Sequence, residues 1–211
     1  MKLVDLNVTA FLDKTASNEP VPGGGSISAL NAAIAAALGT MVTNLTIGRK
    51  KYADKDEDMK AAAEKLNAMR DRFVELIDLD SEAYDVVFAA FKLPKETEEE
   101  KAHRAAVIEE ATKHAAEVPM EVARTALAAM PTILYIGQNG NANAITDSCV
   151  AMMCCRTAVR GALLNVRINL AGLNDEAYIE RMKAEAVEIE AMALVHENDL
   201  ITYAQENHGL C

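Results

Sequence analysis

Tryptophan is absent from this sequence, and Phe and Tyr together supply only 4% of it. A chain so poor in aromatics must build its core from aliphatic side chains. Glycine (10) and proline (5) are also scarce among 211 residues, which argues against a β-sandwich or barrel with closely spaced turn signals. Cations are outnumbered, 21 Lys and Arg against 32 Asp and Glu, for a net charge of −11. The basic footprint that nucleic-acid binding needs is therefore missing. Cys149, Cys154, Cys155 and Cys211 form no CxxC pair, and no His stands near the first three at a zinc-ligand spacing. They are expected as free thiols in a reducing, cytoplasmic setting, and no metal site is expected. An acid falls within Met1-Lys2-Leu3-Val4-Asp5-Leu6 and no long apolar core follows, so no secretory leader is expected.

What remains is a helix-builder's composition. Hydrophobic residues make up 51% of the chain, much of it Ala, Leu, Val and Met, and no stretch alternates with period two. The pattern predicts an all-α, bundle-like single domain of about seven helices spanning residues 1–211. A short helix at 7–16 is followed by Pro20-Val21-Pro22-Gly23-Gly24-Gly25-Ser26, a loop of unusual backbone freedom, with Ser26 as the N-cap of the next helix. That second helix runs to about Gly48. Its region, Val21 to Gly48, is uncharged and long enough to raise a membrane question. Three adjacent glycines, Asn31, Asn44 and many alanines answer for a buried, closely packed helix of a soluble protein instead. The third helix begins in the acidic stretch Asp54 to Asp58 and continues towards Leu93-Pro94. Thr97 and Glu100 form a capping box for a fourth over about 98–118; Pro119 either starts a new helix or kinks this one, and a fifth is counted over about 120–136. A polar loop around Gly140-Asn141 leads to a sixth over about 145–171, and Asn174 or Asp175 caps a seventh.

Two glycine-bearing loops joined to helix starts are the informative places for chemistry. Gly23, Gly24, Gly25 and Ser26 offer close backbone approach and free N–H groups at a helix start, although no Gly-Lys-Ser/Thr follows to make a P-loop. Asp147, behind Asn141-Ala142-Asn143 and Thr146, sits in the first turn of its helix, where a carboxylate is either electrostatic decoration or a group set beside a polar ligand. Asp147, Ala151, Cys154, Ala158, Gly161 and Asn165 share one stripe, but Asp147 and Asn165 lie about 27 Å apart along it. Two antiparallel copies of the chain would bring them together. Arg156, Arg160 and Arg167 fit either salt bridges or carboxylate binding. Asp80 stands mid-helix among apolar neighbours, where a carboxylate is costly without a partner.

These motifs, in order, resemble one family. The opening loop, Met41-Val42, Gly48-Arg49-Lys50-Lys51-Tyr52, Asp80-Ser81-Glu82-Ala83-Tyr84, Leu93-Pro94-Lys95, Gly140-Asn141 with Thr146-Asp147, and Gly161-Ala162 with Asn165-Val166 and Ile168-Asn169-Leu170 cover nearly the whole chain. They resemble the cyclodeaminase/cyclohydrolase family of stand-alone methenyltetrahydrofolate cyclohydrolases and of the C-terminal half of formiminotransferase-cyclodeaminase. Thr146 stands where that pattern has Ser, keeping the hydroxyl. The resemblance implies a helical homodimer that binds a folate substrate between subunits, with no metal or redox cofactor and no nucleic-acid or membrane partner. It implies hydrolysis of 5,10-methenyltetrahydrofolate, or alternatively ring closure of 5-formiminotetrahydrofolate with loss of ammonia; a non-catalytic helical scaffold is the competing class. On this reading Asp147 is the acid/base and Asp80 a supporting carboxylate. Gly23, Gly24, Gly25 and Ser26 contact the substrate, Asn141, Asn165 and Asn169 meet the pterin, and Arg49, Lys50 and Lys51 take the glutamate tail.

Overall fold

The computed structural model describes residues 2–209, so Cys211 and the first residue of the leader reading lie outside the described residues. Six α-helices follow one another, and among the described residues there is no strand. Helix α1 (Val8–Thr15) opens on an Asn7 cap that accepts from the Ala10 N–H at 2.9 Å. Helix α2 (Gly24–Asn44) lies at the centre, packed on α3 (Asp56–Ala90), α4 (Glu98–Asn139) and α5 (Ile145–Leu170). Helix α6 (Glu176–His208) covers α4 and α5 and stops at Gly209, whose φ is 64°.

The alanines explain why α2 sits in the middle. Ala29, Ala32, Ala35 and Ala36 are fully buried, and side chains this small let neighbouring axes approach. At Gly39 even a methyl is too much, because a Cβ would meet Leu66 at 2.9 Å. By length and composition α2 and the segment Ala142–Leu170 could cross a membrane, yet 61% and 50% of those windows are buried inside the protein, as in core helices. Two bidentate ion pairs clamp the outer layers. Arg72 grips Glu121 at 2.7 and 2.9 Å, tying α3 to α4, and Arg124 grips Glu185 at 2.6 and 2.7 Å, tying α4 to α6.

The structure corrects the helix count. The expected fourth and fifth helices are a single helix of 42 residues, with Pro119 and Pro131 inside it. Pro119 has no N–H for the Ala115 carbonyl, four residues back. That carbonyl instead accepts from the Asn169 amide of α5 at 2.8 Å, so the helix continues with its polar group satisfied from a neighbour. The Thr97–Glu100 capping box forms as read. Ser26 is not a cap. Gly23 takes that place, and the Ser26 hydroxyl turns inward to groups on α3.

Candidate active site

The first turn of α2 meets the middle of α3 and the last turns of α5 around a cavity of about 360 Å³. Gly23, Gly24 and Gly25 form one wall, Asp80 and Tyr84 a second, and Asn165, Ile168 and Asn169 a third. Ala115 of α4 lines it too, beside the amide bond that repairs the proline site.

Asp80 is the carboxylate this arrangement holds. A Cβ on Gly25 would stand 2.0 Å from Asp80 Oδ1 and 2.5 Å from its Cγ, so the carboxylate occupies the space a side chain would need. Gly25 is therefore required for close approach and not for backbone freedom, since the described positive-φ glycines are Gly48 and Gly209. The Ser26 hydroxyl, fully buried, lies 3.0 Å from both Asp80 Oδ2 and the Ile77 carbonyl, and 3.2 Å from Ser81 Oγ. One hydroxyl has one proton to give. Donated to Asp80, it stabilises the carboxylate. Turned to Ile77, it leaves the Ser26 oxygen to accept from a protonated Asp80. Burial pushes the Asp80 pKa above the ordinary carboxylate range, and the Ser26 hydroxyl and N–H pull it down without cancelling that effect.

The asparagines are held as firmly. Asn165 Nδ2 donates to the Gly161 carbonyl at 2.9 Å, and a Cβ on Gly24 would stand 3.1 Å from the same nitrogen. Asn169 is fixed by Ala115. In both, the amide oxygen accepts no hydrogen bond among the described residues. Gly161 brings α5 onto α2 here, its Cβ position being only 2.4 Å from Ser28 Oγ.

Of the residues singled out from sequence, Gly23, Gly24, Gly25, Asp80, Asn165 and Asn169 come together at this cavity. Ser26 reaches it only through Asp80. Asn141, Asp147, Arg49, Lys50 and Lys51 do not line it; they gather at the opposite end of α2 and α5. There the Asn141 N–H donates to Thr46 Oγ1 at 2.9 Å and its amide to the Leu45 carbonyl at 3.1 Å, while the Ala142 N–H donates to the Tyr52 hydroxyl. Asn141 is 8% exposed and serves its own chain, which leaves it poorly placed as a pterin ligand. Asp147 is partly exposed and makes no hydrogen bond or ion pair among the described residues. In its stripe Ala151 and Ala158 are fully buried in the chain's own core, whereas Cys154, Gly161 and Asn165 are partly exposed.

The arginines resolve towards ion pairs. Arg160 and Arg167 share Glu190 at 3.2 and 2.6 Å, and Arg156 lies 3.4 Å from Glu197. Cys149, Cys154 and Cys155 are free thiols, and burial pushes Cys155 up to about 12, which makes it a packing group and no nucleophile. Among the described residues no group of three or more His, Cys, Asp or Glu could hold a metal ion. Sequence reasoning gave Tyr84 no role. Its signal was present: it stands one helical turn after Asp80, on the same side of α3.

Fold and cavity together define an all-helical domain with a small, partly polar cavity set against a partly buried carboxylate. The family model for formiminotransferase-cyclodeaminase matches residues 7–188, and the chain belongs to that family. It is 43% identical over 178 residues to a methenyltetrahydrofolate cyclohydrolase from Methylorubrum extorquens, covering 84% of this chain and 86% of that protein. It is 33% identical to the formimidoyltransferase-cyclodeaminase of Rattus norvegicus over 86% of this chain, but spans only 34% of that longer protein. Among solved structures it resembles a formiminotetrahydrofolate cyclodeaminase from Thermotoga maritima, with a TM-score of 0.85, 29% identity and 97% of both chains covered.

Proposed function

We propose that this protein hydrolyses 5,10-methenyltetrahydrofolate to 10-formyltetrahydrofolate, with Asp80 as the acid/base. The observation that carries the reading is Asp80 itself, a partly buried carboxylate with a raised pKa held against the glycine turn of a cavity wall. The methenyl bridge is cationic, so an ionised carboxylate beside it stabilises the bound substrate by charge attraction. Water adds to the bridge carbon as its proton passes to Asp80. The tetrahedral adduct then opens: the bond to ring nitrogen N5 breaks, Asp80 returns its proton to N5, and the hydroxyl proton leaves to solvent as the formyl carbonyl forms. A group that must take and give back one proton works best with a pKa drawn up towards neutrality, as burial does here. The Ser26 hydroxyl has a hydrogen-bond arrangement for each protonation state. The reaction is redox-neutral and balances with water alone, so the proposal requires no redox cofactor.

Asp147 moves from first to second place in this reading, because within one chain it lies about 27 Å from Asn165. A homodimer supplies its route to the site. Ile34 and Met41 of α2, Leu45 just after it, and Val150, Met153, Leu164 and Ile168 of α5 are all exposed, with Ile168 at the cavity mouth. These adjacent helices form an apolar face of a kind that marks an interaction surface. Paired antiparallel across that face, each subunit sets its Asp147 end, with Arg49, Lys50 and Lys51, near the other's Asn165. The free thiols support a reducing, cytoplasmic setting.

A second reading, closure of 5-formiminotetrahydrofolate with release of ammonia, is supported by the likeness to the Thermotoga maritima cyclodeaminase. It uses the same acid to protonate the leaving nitrogen. Offering both folates in parallel and following methenyl absorbance separates the two. Decay of the methenyl compound faster than in buffer means hydrolysis, and growth from the formimino compound means deamination. Asp80→Asn should lower the observed rate about 10²–10⁴-fold. An unchanged rate in a folded Asp80→Asn protein, or no rate in the wild type, overturns the reading.

A further inference from the structure

Beyond Asp80, residues four apart on α3 and in the turn just after it lead from the cavity to the surface. Tyr84 lines the cavity with Asp80 and is 39% exposed. Its ring stacks on that of Phe88, with centroids 6.2 Å apart and planes 12° from parallel. Phe88 is half exposed, and the Lys92 ammonium stands 4.0 Å from its ring centroid. Tyr84, Phe88 and Lys92 thus stand in series from the cavity wall past the end of α3, with Lys92 in the turn that follows it. Two neighbouring aromatic faces in water are unusual in a chain with 4% aromatics. Lys92 makes no ion pair among the described residues, so its ammonium stands over Phe88 without a carboxylate partner.

We propose that Tyr84, Phe88 and Lys92 form a track for the tail of the substrate, a deduction that rests on the folate reading of Asp80. With the bridge carbon at Asp80, the aminobenzoyl ring lies against the Tyr84–Phe88 pair, which offers offset stacking to a flat aromatic group. The glutamate that follows brings its carboxylate to Lys92, whose ammonium is already held over Phe88. The tail is then bound on the same chain as the reacting carboxylate. Within one chain the basic turn Arg49-Lys50-Lys51 lies at the far end of α2, about 30 Å from Gly24 along that helix, so it reaches the tail only from a partner subunit, and the track assigns the glutamate to Lys92 instead.

The test uses the full chain, the folate that the wild type turns over, and the matching pteroate that lacks glutamate. Lys92→Glu should raise KM for the glutamate-bearing substrate roughly three- to tenfold at low salt, with kcat kept. The ratio of kcat/KM between the two substrates should fall accordingly, and recover in high salt as charges are screened. Tyr84→Ala should raise KM for both substrates about two- to tenfold, and Tyr84→Phe should restore it. All these positions are exposed, so circular dichroism should show folded variants. If Lys92→Glu leaves the ratio unmoved, or if Lys50→Glu is the variant that lowers it, the track is wrong. A wild type that turns over neither folate brings down the functional reading and the track with it. Wild-type turnover with indifferent Tyr84 and Lys92 variants removes the track alone.

Discussion

Gly25→Ala should separate activity from stability. The added methyl would stand 2.0 Å from Asp80 Oδ1, and folded proteins essentially never hold a Cβ closer than 3.0 Å to another atom. The carboxylate must therefore retreat by about 1 Å or more, since the α2 backbone is fixed by fully buried alanines on one side and Ser26 on the other. A reacting group misplaced by that distance can lose about 10²-fold in rate. The fold has less reason to suffer. Asp80 is a side chain partly open to the cavity and can rotate, φ at residue 25 is not in the left-handed region, and alanine gains roughly 0.5–1 kcal/mol over glycine inside a helix. The assay pairs a thermal melt with initial rates from methenyl absorbance. The expected result is a melting temperature kept or raised and a kcat/KM down about a hundredfold. Wild-type kcat/KM in a folded Gly25→Ala protein would refute the placement of Asp80 as the reacting carboxylate.

Ser26→Ala removes the hydroxyl that pulls the Asp80 pKa down, so the acidic limb of the kcat/KM profile should move to higher pH, while the plateau above it falls by a smaller factor. Asp80 also links activity to stability. A raised folded-state carboxyl pKa gives stability that is fully present below the unfolded value and is lost as pH rises through the folded one. Asp80→Asn should therefore melt at a higher temperature than wild type at neutral pH, with the difference closing in acid. Leu164→Arg, on the exposed α5 face, should convert a dimer to monomer in light scattering while keeping the helical circular dichroism signal. Asn169→Ala orphans the Ala115 carbonyl and should cost about 1–3 kcal/mol in denaturant unfolding. In a Pro119→Ala background the restored N–H serves that carbonyl and most of the cost should vanish; additive losses would refute the repair.

Much of this was readable one residue type at a time. The alanine runs, the Thr97-to-Glu100 spacing and the missing period-two alternation are local signals, and local signals decide where helices begin and what face they bury. The proline at 119 misled because its rule is local too. A missing N–H ends a helix when nothing else can serve the freed carbonyl, and here the donor arrives from Asn169, fifty residues on. Asp147 drew attention first for the same reason. A carboxylate in a first turn announces itself by position, whereas Asp80 depends on where Gly25 lands, which spacing along the chain does not reveal.

The two long-range repairs meet in one cavity, and that coincidence has a physical basis. The first turn of α2 carries N–H groups without helical partners, and Pro119 leaves a carbonyl without one in α4. Such groups must be met by water or by a side chain. Here Asp80 meets the first, beside the Ser26 N–H, and Asn169 the second. Asn169 is thereby held by a backbone bond before any ligand arrives, and Asp80 is drawn towards the first turn of α2. The cavity polar groups are then preorganised, with Asp80 able to exchange a proton and the asparagine amide oxygens left to accept. Glycines at 24 and 161 let α2 and α5 approach, and Gly25 leaves the space that Asp80 fills, so the small residues of this site act through distance, and the chemistry rests on a side chain they only make room for.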